Sequence, residues 1–156
     1  MIFNGINSQK LELRLIPFDP HEFELMTGFK VEDSFQPTIV DFNLIIGNKD
    51  MYSSILISDV IELIDWFEKF LLNKTVDSHL SIYHGQLCFD LLNDDADSKT
   101  IRITHDGSIP IPGNGGYSGN LDYMLKTHFV EYEISLKELN RIIIDLKKEL
   151  CNALKK

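Results

Sequence analysis

The sequence predicts an α+β fold: a largely antiparallel sheet of about seven or eight strands with two amphipathic helices. Three observations carry this. Apolar and polar residues alternate through much of the chain, the period of a half-buried strand. Short polar turns, rather than helical crossovers, separate the apolar segments, as antiparallel neighbours require. Two well-separated stretches switch to the helical period.

Lys10 to Ile16 sets Leu11, Leu13 and Leu15 against Lys10, Glu12 and Arg14, and Pro17, Asp19 and Pro20 end that strand. Phe23, Leu25, Thr27, Phe29 and Val31 alternate with Glu22, Glu24, Met26, Gly28, Lys30 and Glu32, which predicts a second strand with an acidic outer face. Val40, Phe42, Leu44 and Ile46 form a third, and Gly47-Asn48-Lys49-Asp50 turns into a fourth at about Met51 to Leu56. Ser58 is placed to cap a helix carrying Ile61, Ile64, Trp66, Phe67, Phe70 and Leu71, with Asn73 as its left-handed stop. His79 to His84 and Leu87 to Leu92 flank Gly85-Gln86, a two-residue hairpin turn. A polar loop, Asn93 to Ser98, precedes a short strand at Thr100 to Thr104. An irregular stretch at 105–120 and a strand at roughly Tyr123 to Ile134 follow. Ser135-Leu136-Lys137-Glu138 is a capping box opening a helix striped by Leu139, Ile142, Ile143, Leu146, Leu150 and Leu154. Lys147, Lys148, Lys155 and Lys156 gather towards its negative end.

With 156 residues, no repeat and no linker, residues 1–156 read as a single domain. Fifteen basic against 24 acidic residues give a net charge of −9, which repels nucleic-acid phosphates and anionic lipid. No nucleic-acid or membrane partner is therefore expected. Two cysteines, no cationic-then-apolar leader and no long apolar run predict a cytoplasmic chain.

The motifs of common chemistries are missing or incomplete. Gly113 to Gly119 lacks the lysine and hydroxyl of a phosphate loop and the third glycine of a dinucleotide fingerprint. His79 and His84 fall on opposite faces of one strand, and His21, His105 and His128 lack partners at metal-ligand spacing. The run Asp94-Asp95-Ala96-Asp97 lacks the glycine and distal glutamate of a calcium loop. Cys88 sits mid-strand, and no nucleophile elbow is present. Neither catalytic nor metal-binding residues are assigned, and no cofactor is expected.

Charge is distributed unevenly. Residues 12–41 hold seven acids against two bases, or −5; residues 77–106 hold six against two, or −4. Residues 141–156 hold five bases against two acids, or +3. An electronegative surface on the sheet and its loops fits a cationic protein partner. The candidate contacts are Glu22, Glu24, Asp33, Asp94, Asp95 and Asp97, with Tyr117 as an aromatic anchor.

The segment Ser54-Ile55-Leu56-Ile57-Ser58-Asp59-Val60-Ile61-Glu62-Leu63-Ile64-Asp65-Trp66-Phe67 runs from a strand through a leucine into an acidic helix ending in Leu-x-x-Trp-Phe. Over roughly residues 40–92 this resembles the immunity proteins paired with bacterial cell-wall-associated (Wap-type) contact toxins. Where that family carries Glu-Pro-x-Leu-x-Phe, this chain has His84-Gly85-Gln86-Leu87-Cys88-Phe89. The resemblance implies a small, acidic, non-enzymatic cytoplasmic protein that binds and blocks a cognate toxin domain. The alternative expectation is a small-molecule-binding protein or enzyme with its site under the 105–120 loop. Oligomeric state is open at this point.

Overall fold

The computed structural model describes residues 2–4, 10–28, 30–31, 38–46, 49–82, 87–95, 98–106 and 127–155. Eight strands and three helices follow in the order β1 (Ile2–Asn4), β2 (Lys10–Ile16), α1 (Pro20–Thr27), β3 (Ile39–Ile46), β4 (Lys49–Leu56), α2 (Ile57–Leu71), β5 (His79–Ile82), β6 (Leu87–Asp94), β7 (Ser98–Asp106), β8 (Thr127–Ser135) and α3 (Leu136–Ala153). The fold is α+β and its strand pairs are antiparallel. The described strands form two sheets of four, β1-β2-β3-β4 and β5-β6-β7-β8, instead of the single large sheet expected. Each sheet is a meander in that strands consecutive in sequence lie side by side.

The expected strand over Phe23 to Val31 is a correction: α1 occupies Pro20–Thr27. Its end signals are local. Pro20 fills the first helical position, where its missing N–H costs nothing. The His21 N–H donates to Asp19 Oδ1 at 2.9 Å, which makes Asp19 the cap. Gly28, at φ +74°, stops the helix and its N–H donates to the Glu24 carbonyl at 2.8 Å. Leu25, which a strand would bury, is 68% exposed. The turn at Gly47-Asn48 and the hairpin at Gly85-Gln86 lie outside the described residues.

Ser58 does not cap α2. The cap position is Leu56, without a side-chain bond, and the Ile57 N–H is taken by the Thr38 carbonyl at 2.9 Å. At the other end, Asn73 adopts φ +50°. Lys74 N–H bonds to the Lys69 carbonyl and Asn73 N–H to the Phe70 carbonyl, the paired bonds of a Schellman stop. Ser135 caps α3 as its sequence predicts, its Oγ accepting from the Glu138 N–H at 3.2 Å. The buried stripe of α3 ends on Ala153, while Leu154 is exposed. Lys147 and Lys148 lie before the last turn, which holds no basic residue.

Both sheets bury their alternating apolar residues against one helix pair. Leu11, Leu13, Leu15, Val40 and Ile55 of the first sheet share a core with Leu80, Ile82, Leu87, Phe89, Ile101, Ile103, Val130, Tyr132 and Ile134 of the second. Between them, α2 packs against β4 and β5, α3 against β2 and β8, and the helices pack on each other. Trp66 centres an aromatic cluster, edge-on to Phe70 (4.1 Å between centroids), Phe67 (5.4 Å) and Phe89 (6.2 Å). Its Nε1–H donates to the Asp77 carbonyl at 2.9 Å, so the ring's polar atom is satisfied on burial.

Polar groups tie the layers together. The Glu149 carboxylate of α3 accepts the Leu15 N–H at 3.0 Å, beyond the point where β1 covers that edge of β2. Burial pushes the Tyr132 phenol pKa up, and the backbone of Leu11 in the other sheet partly offsets this.

Two outcomes follow from this packing. Trp66→Ala will cost about 3–5 kcal/mol in urea unfolding, because it empties an aromatic site among rings that do not close in. For Tyr132, the folded-state pKa lies above the unfolded one, so its contribution is intact below pH ~10 and is lost as pH rises further. Stability will fall above that point by about 1.4 kcal/mol per pH unit from this group alone. Comparing the pH dependence of wild type and Tyr132→Phe isolates that slope, and identical curves would refute it.

Candidate protein-binding surface

An antiparallel sheet with one face on the core leaves the other to solvent. On β5–β8 the registers line the outward residues into rows. His79 pairs with Asp90, Asp90 with Arg102, and Arg102 with Glu131, so one row of polar residues crosses all four strands. Its ends are closed by a hydrogen-bond contact between His79 Nδ1 and Asp90 Oδ1 at 2.7 Å and an ion pair between Arg102 Nη2 and Glu131 Oε1 at 2.6 Å. The next row holds Ser81, Cys88, Thr104 and Phe129, with Cys88 Sγ 3.7 Å from Ser81 Oγ.

Phe129 is 55% exposed, and the Arg102 guanidinium lies over its ring at 5.1 Å. Glu131 receives both Arg102 Nε (3.0 Å) and Nη2, which fixes the guanidinium plane above the ring. Such exposed contacts contribute only about 0.5–1 kcal/mol each. Their consequence is rigidity: an aromatic side chain standing out of a sheet with its neighbours already ordered. Leu92, beside the β6 bulge between Leu91 and Asn93, is a second exposed apolar residue. Strands β5–β8 hold five carboxylates (Asp90, Asp94, Asp106, Glu131, Glu133) against two cations (Lys99, Arg102), a net −3.

The contacts expected from sequence fare differently. Asp33, Asp97 and Tyr117 lie outside the described residues, and Glu22 lies on α1. Glu24 is half-buried and accepts the Val31 N–H at 2.7 Å, so it organises the chain after α1. Asp94 pairs with Lys99, whose side chain is 2% exposed. Lys99 Nζ also donates to the Asp95 carbonyl at 2.9 Å and to Asn73 Oδ1 at 3.4 Å. The Asp94 charge is thus already matched by the buried Lys99 ammonium. Asp95 keeps its carboxylate at the surface, accepting from Asn93 Nδ2 at 2.6 Å.

Sequence reasoning missed Phe129, though a signal was there: it shares strand parity with Glu131 and Glu133, opposite the buried Val130, Tyr132 and Ile134. Arg102 and Asp90 could not be joined to it before the registers were known. His105 and Asp106 end β7 and are not part of a loop; residues 107–120 of the alternative site lie outside the described residues. Among the described residues no group of three or more metal-ligating side chains converges. No described helix is long and apolar enough to cross a membrane.

The Lys99 cluster separates two neighbouring aspartates. Asp94→Lys sets a second ammonium against a buried one and will cost about 1–3 kcal/mol. Asp95→Lys leaves the accepting carbonyl in place and will stay within about 0.5 kcal/mol of wild type. Equal urea midpoints for the two variants would show that Lys99 does not depend on Asp94. Comparison with known protein families, with curated proteins and with solved structures finds no match for this chain.

Proposed function

We propose that this chain is a non-enzymatic immunity-type protein that binds and neutralises a cognate, basic bacterial toxin domain in the cytoplasm. The observation that carries this reading is the outward face of β5–β8, where a braced, half-exposed Phe129 stands among Asp90, Glu131 and Glu133. An aromatic anchor on a sheet face that also carries carboxylates suits a partner that offers an apolar pocket with cations at its rim. The acidic field of the whole chain, −9, would speed the approach of such a partner. Asp95 extends the acidic surface beyond the sheet.

Steering and anchoring act on different rate constants. Charges at the rim set the association rate and its salt dependence, while a buried aromatic anchor sets dissociation. The test is co-expression with the toxin domain encoded beside this gene, scored by growth, followed by binding kinetics on the purified pair. Growth rescue and a stable complex are expected; a toxin that stays lethal and unbound refutes the reading. Within a complex, Asp90→Lys with Glu133→Lys will slow association about ten-fold and flatten its salt dependence. Phe129→Ala will instead speed dissociation by about ten-fold or more, a loss of at least ~1.4 kcal/mol.

A further inference from the structure

The second uncovered surface is the outward side of the helix pair, opposite the core. On α2, Ile61, Asp65, Glu68 and Leu72 follow at helical spacing along one line. On α3, Ile144, Lys147, Cys151 and Leu154 do the same. The Lys147–Glu68 ion pair, at 2.7 Å, joins the two lines side by side. Ile61, Leu72, Ile144 and Leu154 are each between 48% and 61% exposed, and they make up half of the large exposed hydrophobics among the described residues. Helices that had nothing further to cover would carry polar residues there.

Charge on this surface is divided by helix. The exposed acids Glu62 and Asp65, with the partly exposed Glu68, lie on α2, where Lys69 is the single cation. On α3 the exposed charges are the cations Lys137, Arg141, Lys147 and Lys148, while Glu138, Asp145 and Glu149 are partly buried. Arg141 reaches Asp145 and Glu138 on its own helix, but those carboxylates are less exposed than the guanidinium. Four acids against one cation make α2 net −3, and four cations against three acids make α3 net +1, with exposed apolar residues along both.

We propose that this helix layer is the interface of a two-fold homodimer, in which α2 of each copy lies on α3 of the other. A two-fold axis brings one patch against itself, so the patch must be self-complementary. A net-negative α2 beside a net-positive α3 meets that condition, since rotation sets each α2 on the partner's α3, where Lys137 and Lys148 can face Glu62. The apolar residues would then bury against their counterparts, completing a four-helix layer between two pairs of sheets. The net charge of −9 on each copy opposes association weakly, because fields beyond about 8 Å are screened at physiological salt. Such a dimer leaves both outward faces of β5–β8 open, so it does not depend on the toxin-binding reading.

Sedimentation equilibrium of the full chain tests this directly. The weight-average mass is expected to rise from 18.0 kDa towards twice that value between micromolar and sub-millimolar concentration. Two charge-reversed variants then locate the surface: Glu62→Lys with Asp65→Lys, and Arg141→Glu with Lys148→Glu. Each alone puts like charge on like charge at both contacts of its own dimer and is expected to remain at monomer mass. Mixed in equal amounts, they restore both contacts and are expected to form the dimer again. Circular dichroism melts of each variant exclude unfolding as the cause. A wild-type chain that stays at 18.0 kDa throughout overturns the proposal, as does a dimer that both variants leave unchanged. Monomeric variants that fail to recover the dimer on mixing would likewise place the interface elsewhere.

Discussion

Shared burial against one helix pair is the constraint on which the rest of this structure depends. Neither four-stranded meander could cover its own apolar face, and a sheet exposed on that side would present its leucines and isoleucines to water. Each buried aliphatic or aromatic side chain contributes roughly 1.5–3 kcal/mol over its exposed state. Helices α2 and α3 supply that cover to both sheets at once, which is why Leu13 and Ile103, from different sheets, belong to a single core. It follows that the two sheets cannot be stable independently of the helices, and that α2 and α3 each sit where a strand ends: α2 directly after β4, α3 directly after β8.

Polar groups inside this arrangement fix what apolar packing leaves free. Lys99 draws the β6–β7 turn and the end of α2 together, because Asp94, the Asp95 carbonyl and Asn73 come from both. The left-handed stop at Asn73 places its side chain for that contact, so a local backbone feature has a tertiary use. Glu149 does similar work at the β2 edge, occupying an amide that would otherwise invite another strand. An unpaired polar group at any of these places would cost about 1–3 kcal/mol, so each pairing selects one packing of helix on sheet.

The inner faces of the sheets and the buried stripes of the helices are thus spoken for, and the surfaces left over have different chemistry. The outward face of β5–β8 is acidic with one aromatic projection; the outward side of the helices is divided between signs and richer in aliphatic residues. A mixed-sign, self-complementary surface suits a copy of itself, and a predominantly acidic one suits a partner of opposite sign. One small protein therefore presents two sides that differ in what they can recognise.

Legibility followed the range of the interactions involved. The β2 strand, the Asn73 stop, the Ser135 cap and most buried positions of α2 and α3, though not the exposed Ile61 and Leu154, could be read directly, because period and capping are local properties. The α1 helix was misread because Phe23, Leu25 and Thr27 fit a two-residue period, while its decisive signals, Asp19-Pro20 and Gly28, lie at its ends. The division into two sheets was not legible, since no local rule says where a ladder stops. Of the acidic residues, sequence gave their number and clustering; which of them remain open was decided by folding. Lys99 neutralises Asp94 and Val31 engages Glu24, whereas strand register brings Asp90, Arg102, Glu131 and Phe129 onto one face. By itself, then, the chain determined its class, most of its elements and its electronegative character, all functions of neighbouring residues. Register, the partnering of charges and the two uncovered surfaces depend on contacts between residues far apart in the chain, and only the tertiary structure could decide them.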